Sequence, residues 1–389
     1  MERLIISVAL AMVLAACENE TVAPPPDPPP PDPCADLAGR TGFARVAAIQ
    51  DLTMALRADG TVICWGGEYV GGFCLDSEGP AERHLLPVQS RGLVCITDLT
   101  LASTIGVALT AKGEGLIWAS NPGILEPTEP WPEAGEALIN RVIGLGRLRA
   151  IATGGEGVAV VDENGVAYWW GLLWRRQSTP ERLEIPGSVA SLDVAGGHLC
   201  AVTEAGEVWC VGDNRSGELG DGTQVERDKP VMVHGLPPSK EVSVAGSYSS
   251  ALSTTGEVFY WGRDDGRFGR GLSPQSEPPI ELSPVPTAAL PPIATIEVGA
   301  TGAGTLAVTT EGDLYGWGLN DGIIEAPDIY HIPYPTLISG PGRVVDAARG
   351  NHACAVRTDG AVWCGGYPLN LGREPTSGED VAWGPITLP

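Results

Sequence analysis

Histidines are the side chains of this chain that could most readily perform acid–base or metal chemistry. There are five, at positions His84, His198, His234, His331 and His352. His198 and His352 each precede a cysteine by two residues, and we expect a position repeated in this way to be structural. No Gly-x-Ser-x-Gly elbow, P-loop lysine or EF-hand pattern occurs. We therefore expect no catalytic residue, no cofactor and no bound metal ion, and a protein that is not an enzyme.

The acidic residues leave one catalytic alternative open. Asp and Glu total 48 against 24 Lys and Arg, which gives a net charge of −24. A carboxylate pair that cleaves a glycosidic bond could be present among so many acids, although solvated acidic loops are the simpler interpretation. The same charge argues against binding nucleic acid, whose phosphates attract Lys and Arg. It also argues against docking on anionic lipid headgroups.

The N-terminal residues predict export and a lipid anchor. Arg3 precedes an apolar run from Leu4 to Val13, which is too short to span a membrane and fits a signal peptide. The run continues into a Leu-Ala-Ala-Cys motif that ends at Cys17 and is similar to the lipobox at which bacteria attach lipid. We expect residues 1–16 to be a lipoprotein signal peptide, Cys17 to be the lipid attachment site, and residues 17–33 to be a Pro-rich tether.

Seven copies of one pattern occupy the rest of the chain. In each copy an Ala and an aliphatic residue lead to a glycine, and then to an aromatic-Gly pair or a variant of it. Apolar and polar residues alternate on both sides of this glycine, which predicts a β-hairpin with the glycine in its turn. The glycines are Gly60, Gly113, Gly165, Gly206, Gly256, Gly312 and Gly360.

A further strand is expected before and after each hairpin, so that each copy becomes a four-stranded unit. Units of this size, repeated about every 50 residues, are typical of β-propeller blades. We expect an all-β fold in which residues 34–389 form a seven-bladed β-propeller with four-stranded blades, preceded by the signal peptide and the Pro-rich linker. The sequence leaves open whether the last strand or the N-terminal segment closes the ring. The expected blades lie near residues 43–90, 91–147, 148–188, 189–240, 241–292, 293–342 and 343–389.

The fourth copy carries a family resemblance. It contains Leu-Asp-Val-Ala-Gly-Gly-His-Leu-Cys from position 192 and Gly-Asp-Asn-Arg-Ser-Gly-Glu-Leu-Gly-Asp-Gly-Thr from position 212. It resembles the repeat of the regulator-of-chromosome-condensation family, which consists of seven-bladed propellers, and the resemblance extends over roughly residues 43–389. The second and third copies depart from the pattern, since Ala119 replaces a glycine and the Gly-x-Leu-Gly loop is missing.

The resemblance implies a binding protein. The best-known family member is an exchange factor for a small nuclear GTPase, a role that does not suit an exported acidic chain. Secreted bacterial relatives include an inhibitor that caps β-lactamases with its loop face, which favours a protein-binding module.

The hairpin register predicts two disulfides. With a three-residue turn ending at Gly206, Cys200 lies opposite Cys210, and the same count in the seventh copy places Cys354 opposite Cys364. Both are expected as non-hydrogen-bonded pairs, in which the Cβ atoms are close enough for a disulfide.

Four other cysteines have three possible connectivities. Cys64 has Met54 opposite to it, so it must pair elsewhere, with Cys34, Cys74 or Cys95. Cys64 and Cys74 are the nearest pair in sequence. A zinc site is disfavoured, because the chain has no Cys-x-x-Cys spacing.

Three groups of aromatic and basic residues lie in the loops between hairpins, where propellers bind partners. We expect them to contact a partner; the alternative is that their rings pack on neighbouring blades. The groups are Trp174, Arg175 and Arg176; Phe268 and Arg270; and Tyr330, His331 and Tyr334.

The sequence thus predicts a monomeric protein of the bacterial cell envelope that binds a protein partner through loops on its faces. Membrane contact is expected through the lipid anchor alone, and Glu18, which follows Cys17, favours the outer membrane. The alternatives are an envelope enzyme acting on polysaccharide and a purely structural envelope lipoprotein. A deep cleft with paired carboxylates would favour the enzyme, and a flat face with exposed aromatic residues the binding protein.

Overall fold

The computed structural model contains seven four-stranded antiparallel sheets, all within residues 33–389. It describes residues 32–66, 74, 84–119, 139–274, 277–299, 304–320, 322–324, 329–366, 371–372 and 382–387. The prediction of an all-β propeller with seven blades of four strands is confirmed. Cys17 and the expected signal peptide lie outside the described residues. In the part that the structure describes, no helix is long and apolar enough to cross a membrane.

Each blade is one contiguous stretch of chain, and its strands follow sequence order from the central channel outwards. We name them A to D. Blade 1 has β1–β4: Phe43–Ile49, Leu52–Arg57, Val62–Gly66 and His84–Gln89. Blade 2 has β5–β8: Ile96–Leu101, Ile105–Thr110, Gly115–Ala119 and Ile139–Arg141. Blade 3 has β9–β12: Leu148–Gly154, Glu156–Asp162, Ala167–Leu172 and Arg176–Arg182. Blade 4 has β13–β16: Val189–Ala195, His198–Thr203, Val208–Gly212 and Arg227–Met232. Blade 5 has β17–β20: Ser239–Ala245, Tyr248–Ser253, Val258–Arg263 and Ile280–Pro286. Blade 6 has β21–β24: Ile293–Val298, Gly304–Thr309, Leu314–Leu319 and His331–Ile338. Blade 7 has β25–β28: Val344–Arg349, His352–Arg357, Val362–Gly366 and Gly384–Pro385.

The turn between strands B and C explains the glycine of each copy. In blade 4, the N–H of Gly206 donates to Thr203 O at 2.8 Å, and the Thr203 N–H donates to Glu207 O at 2.9 Å. Gly206 has a φ of 82°, a left-handed conformation that glycine adopts without strain. A Cβ at this position would lie 3.0 Å from Pro238, at the start of the next blade. The turn therefore requires glycine both for its backbone conformation and for its close contact with blade 5.

The same turn joins the blades. The carbonyl of the turn glycine accepts the N–H of the first residue of strand A in the next blade, as in the 2.9 Å bond from Ser239 to Gly206. The bond recurs at every junction, and Phe43 makes it to Gly360 at 2.9 Å between blades 1 and 7. Among the described strands none is exchanged between the first and last blades, because β1 pairs within blade 1 and β28 within blade 7. The remaining donors and acceptors are Ile96 to Gly60, Leu148 to Gly113, Val189 to Gly165, Ile293 to Gly256 and Val344 to Gly312.

The apolar core is divided among the junctions. The buried residues form seven hydrophobic clusters within the described ranges, and each one lies between two adjacent blades. A tryptophan near the end of strand C fills the contact with the preceding blade in five of them: Trp65, Trp118, Trp170, Trp261 and Trp317.

Two blades lack this tryptophan, and a ring from elsewhere replaces it. Blade 7 has Gly365 at the position, and a Cβ there would lie 2.8 Å from the ring of Trp383. The Trp383 Nε1 donates to Ile323 O of blade 6 at 2.8 Å, as Trp261 Nε1 donates to a loop carbonyl of blade 4. Blade 4 has Val211 at the position, and Trp174 of blade 3 packs against the same cluster. A tryptophan ring thus packs at these two junctions as well, although it comes from a different position in the sequence.

All eight cysteines that follow Cys17 in the sequence form disulfides. Cys200–Cys210 and Cys354–Cys364 join directly opposed residues of strands B and C, with Cα atoms 4.1 Å apart in each pair. The others are Cys34–Cys95 and Cys64–Cys74. Cys34–Cys95 therefore links the residues before blade 1 to the start of blade 2.

Removal of the substitute ring should open a cavity between blades 6 and 7. We expect Trp383→Ala to lower the free energy of unfolding by about 3–5 kcal/mol, the usual cost of deleting a buried aromatic ring. Trp209→Ala is the control, because Trp209 is half-buried on strand C and should cost less. Urea unfolding of both variants measures the difference.

A swap variant makes the test specific. Gly365 does not have a positive φ, so a larger residue fits its backbone once Trp383 is removed. Gly365→Trp combined with Trp383→Ala should recover part of the lost stability. Equal losses in Trp383→Ala and Trp209→Ala, or no recovery in the double variant, would show that Trp383 does not fill the place of the missing ring.

Candidate interaction surface at the propeller rim

Exposed apolar side chains gather where strand C leads into strand D. These connections share one end of the propeller, because the strands of each blade alternate in direction. The exposed residues at this end of blades 3 to 6 form a surface that we name the C–D rim. They are Leu172, Val225, Ile280, Ile329, Tyr330 and Tyr334. Tyr330 is 71% exposed and Tyr334 is 56% exposed. At the opposite end the exposed large apolar residues of the described ranges are aliphatic: Val94, Ile143, Leu337 and Val345.

The C–D rim is continuous across blades 4 to 6. In blade 4, the loop after strand C lies on strand β20 of blade 5, where the Gly222 N–H donates to Leu282 O at 3.0 Å. In blade 5, the corresponding loop lies on strand β24 of blade 6, where the Gly271 N–H donates to Pro333 O at 2.8 Å. Each loop thus continues onto the outer strand of the next blade, and the exposed residues share one surface.

Arginines on this rim are held by carboxylates of the same loops. Arg227 pairs with Asp221 at 2.7 Å, and Arg270 pairs with Asp264 at 3.1 Å and with Glu281 at 2.6 Å. Ion pairs that remain partly exposed contribute little to stability, typically about 0–1 kcal/mol. They do fix the direction of the guanidinium groups, so the C–D rim presents ordered charges between its apolar side chains.

The first predicted group is mostly engaged within the protein. Trp174 is half-buried and stacks on Trp169 with ring centroids 4.2 Å apart. Arg175 lies over the Trp169 ring at 5.0 Å and pairs with Glu181 at 2.5 Å. Arg176 alone of the three is exposed. For Trp174, packing of the ring within the propeller therefore replaces the predicted contact with a partner.

Phe268 is completely buried, so the interpretation of this ring as a contact residue is wrong. It packs between blades 5 and 6 and stacks on Tyr260 with centroids 4.9 Å apart. The repeat pattern could have predicted that Phe268 is buried, because Phe268-Gly269 matches Leu219-Gly220 of the Gly-x-Leu-Gly loop. Leu219 is equally buried.

The third group supplies the accessible side chains. His331 is half-buried beside the blade 5 loop, and burial lowers the pKa of its imidazole. Tyr330 and Tyr334 flank it and are exposed. Of the eight predicted contact residues, these two tyrosines and Arg176 are exposed.

A second concentration of polar side chains lies in the central channel. From the sequence, the acidic residues were expected only in solvated loops. The seven A strands enclose a cavity of about 460 Å³. Asp193 Oδ2 accepts the N–H of Val244 at 2.8 Å, and Asp346 Oδ2 accepts the N–H of Val46 at 2.8 Å. Strand A is the inner edge of each sheet, so these carboxylates satisfy backbone donors of the next blade. The available sequence signal was their spacing from the first residue of strand A, two residues for Asp346 and four for Asp193, which places both on the same face of the strand.

These carboxylates are less acidic than usual. Burial raises the pKa of Asp193 and of Asp346 to about 6, against the effect of the backbone hydrogen bonds. Burial likewise raises the pKa of Glu241 to about 7, although Thr295 Oγ1 donates to it at 2.9 Å. None of the described His, Cys, Asp or Glu residues form a group of three or more that could hold a metal ion.

The two repeated histidines have the structural role expected of them. His198 Nε2 lies 2.8 Å from Ser249 Oγ of the next blade, and His352 Nε2 contacts Thr53 Oγ1 across the junction between blades 7 and 1. Burial lowers the pKa of both imidazoles to about 4. They are therefore neutral near pH 7 and fit their completely buried positions.

Known proteins share this repeat and this architecture. The model of the regulator of chromosome condensation (RCC1) repeat matches residues 205–252. The chain is 30% identical over 226 residues to the human E3 ubiquitin-protein ligase HERC2, a match that covers 52% of this chain and 5% of that protein. It is 25% identical over 285 residues to the ultraviolet-B receptor UVR8 of Arabidopsis thaliana, covering 69% of this chain and 62% of that one. The chain thus spans less than two thirds of the length of these relatives.

Solved structures agree on the fold. Human WBSCR16 matches with a TM-score of 0.67 at 18% identity, over 80% of this chain and 85% of that one. Yeast RCC1 (Prp20), in its complex with Kap60, matches with a TM-score of 0.64 at 18% identity, over 79% of this chain and 78% of that one. At this identity the likeness concerns the architecture.

Glu241 should make the stability of the protein depend on pH. Its pKa is raised from 4.5 to about 7 by folding, so the folded state holds the proton more tightly than the unfolded chain. The resulting stability is present below about pH 4.5 and is lost as the pH rises through about 7. At about 1.4 kcal/mol per pKa unit, Glu241→Gln should remove a pH dependence of a few kcal/mol while keeping the acceptor oxygen.

Urea unfolding at a series of pH values measures this difference between the wild type and the variant. The buried histidines act in the opposite sense over about pH 4 to 6.5, so the two proteins are compared at each pH. The exposed Glu311→Gln variant is the control. Parallel stability curves for Glu241→Gln and wild type would contradict the assignment.

Proposed function

We propose that this chain, which carries the regulator-of-chromosome-condensation repeat on a seven-bladed propeller, is a protein-binding module that uses its C–D rim. The observation that carries the proposal is the continuous rim of exposed tyrosine and aliphatic side chains in a protein of net charge −24. Such residues, set among ordered arginines, are typical of the centre of protein–protein interfaces. The opposite end offers isolated aliphatic residues instead.

The outer strands favour recognition by side chains over strand addition. Strand D is the exposed edge of each blade, and an unprotected edge can pair with another chain. Five of these strands contain a proline at the same place, which removes one backbone donor and blocks regular pairing. The residues are Pro87, Pro180, Pro230, Pro284 and Pro335. A partner that meets the C–D rim would therefore contact Tyr330 and Tyr334 directly.

We also propose that the module is held at a bacterial cell envelope. The support is the lipobox-like motif at Cys17, the Pro-rich segment that follows, and the pairing of all the other cysteines in disulfides. Disulfides persist in oxidising compartments outside the cytoplasm. The lipid would tether the propeller, and the segment up to residue 33 would separate it from the membrane surface.

The binding proposal is tested by crosslinking from defined positions. A photo-crosslinking amino acid placed at Tyr330 of the full chain, expressed in its native host, should capture one discrete protein. The same amino acid at Val94, exposed on the opposite end, should not capture it. Tyr334→Ala should reduce the capture from position 330, because truncating a central aromatic contact costs about 2 kcal/mol or more. Capture of the same proteins from both positions, of glycan alone, or of nothing would contradict a protein-binding rim.

The anchoring proposal has a separate test. Cys17→Ala should abolish metabolic labelling with a palmitate analogue and move the protein out of the membrane fraction. Cys64→Ala together with Cys74→Ala is the control, because it removes two cysteines but leaves Cys17 intact. Membrane association and labelling that persist in Cys17→Ala would contradict the anchor and leave the binding proposal unaffected.

A further inference from the structure

One carboxylate in the central channel is used differently from its counterparts. At the same place in strand A, Asp193 accepts the N–H of Val244, and Ser243 Oγ accepts the N–H of Val298 at 3.1 Å. Glu297 occupies this place in blade 6, and its half-buried side chain has no hydrogen bond or ion pair within the part of the chain that the structure describes. Its carboxylate is directed into the channel without a structural partner.

The surroundings of Glu297 are strongly negative. Burial raises the pKa of Glu297 well above its ordinary value, and the carboxylates of Asp193, Asp346 and Glu241 raise it further, in that order of importance. Arg45 acts weakly in the opposite direction. A buried carboxylate among three others is costly to ionise unless a cation accompanies it.

The basic residues of the channel are engaged elsewhere. Arg45 pairs with Asp98 at 2.5 Å, on the neighbouring inner strand. Lys240 Nζ donates to the carbonyl of Ala294 at 2.9 Å. Arg149 is paired with Glu204, outside the inner strands, at 2.9 Å. None of the three is paired with Glu297, and five acidic side chains against three basic ones line the channel.

The channel also has room for a ligand. Its volume of about 460 Å³ lies within the range of small-molecule sites, about 300–1,000 Å³. Between its charged and aliphatic residues the wall has small or hydroxyl side chains, among them Ala47, Thr100, Ala152 and Ser191. The described carboxylates are not grouped as ligands of a single metal ion. Separated carboxylates around a polar space match a ligand with several separated positive charges.

We infer that the central channel binds a linear aliphatic polyamine, whose ammonium groups pair with Glu297 and with Glu241. An alkyl ammonium resembles the lysine side chain, which remains protonated up to about pH 10. The carboxylates, in contrast, take up protons as the pH falls, because Glu297, Glu241, Asp193 and Asp346 all have raised pKa values. Binding should therefore strengthen from mildly acidic to mildly alkaline pH. The charged groups that act on Glu297 are the three carboxylates of Asp193, Asp346 and Glu241 together with Arg45.

Calorimetric titration of the mature protein with spermidine tests the inference. Near pH 8 and at about 0.15 M salt, which screens surface charges, we expect saturable one-to-one binding. Glu297→Gln should weaken it by about tenfold or more, a change of about 1.4 kcal/mol. Asp228→Asn, which removes one exposed carboxylate from the outer strand of blade 4, is the matched control and should bind as the wild type does.

Three results would overturn the inference. They are an absence of saturable binding, equal affinity of the wild type and Glu297→Gln, and tighter binding of magnesium than of spermidine at the same site. Thermal unfolding of Glu297→Gln without ligand shows whether the variant is folded. Since glutamine is uncharged and similar in shape to glutamate, the variant should be at least as stable as the wild type. Glu241→Gln provides a second, independent variant for the affinity measurement.

Discussion

The hydrogen bond from the first residue of each strand A to the turn glycine of the preceding blade is the constraint on which the ring depends. It occurs at all seven junctions with donor–acceptor distances of 2.7–3.0 Å. The positive φ of the glycine directs its carbonyl towards the neighbour, and the absent Cβ lets the two backbones approach. Because Phe43 makes this bond to Gly360 like every other pair, the ring closes without strand exchange. The distance between blades set in this way is the space that the seven apolar clusters must fill.

Because side chains must fill the space between adjacent blades, only some of the loop residues remain available to a partner. The loop after strand C begins by packing on the next blade, where Leu219 and Phe268 are completely buried. Where the strand C tryptophan is missing, Trp174 and Trp383 supply the ring instead. Beyond this packed portion the chain reaches the outer strand and is exposed, as at Tyr330 and Tyr334. The proposed binding surface therefore consists of the side chains that the junctions do not use.

The negative charge of the protein is not confined to solvated loops. Strand A is a sheet edge inside the ring, and its backbone donors must find acceptors without a neighbouring strand. Asp193, Asp346 and Glu241 provide those acceptors from the adjacent blade, and burial weakens their acidity. The Glu297 side chain accepts no backbone N–H from the adjacent blade. The acidic residues of the channel therefore have both a structural role and a proposed ligand-binding role. Glu241 takes part in both, because it accepts the N–H of Ile296 and also lines the channel beside Glu297.

The sequence by itself determined the blade number, the strand order and the hairpin register, since strand alternation and turn glycines act over a few neighbouring residues. The same local count placed Cys200 opposite Cys210. Only the tertiary structure decided that Phe268 is buried whereas Tyr330 is exposed, and that Cys34 pairs with Cys95. It also decided that Trp383 fills the space beside Gly365. These outcomes depend on the volume, charge and distance that one blade presents to the next, and no short stretch of sequence contains both sides of that contact.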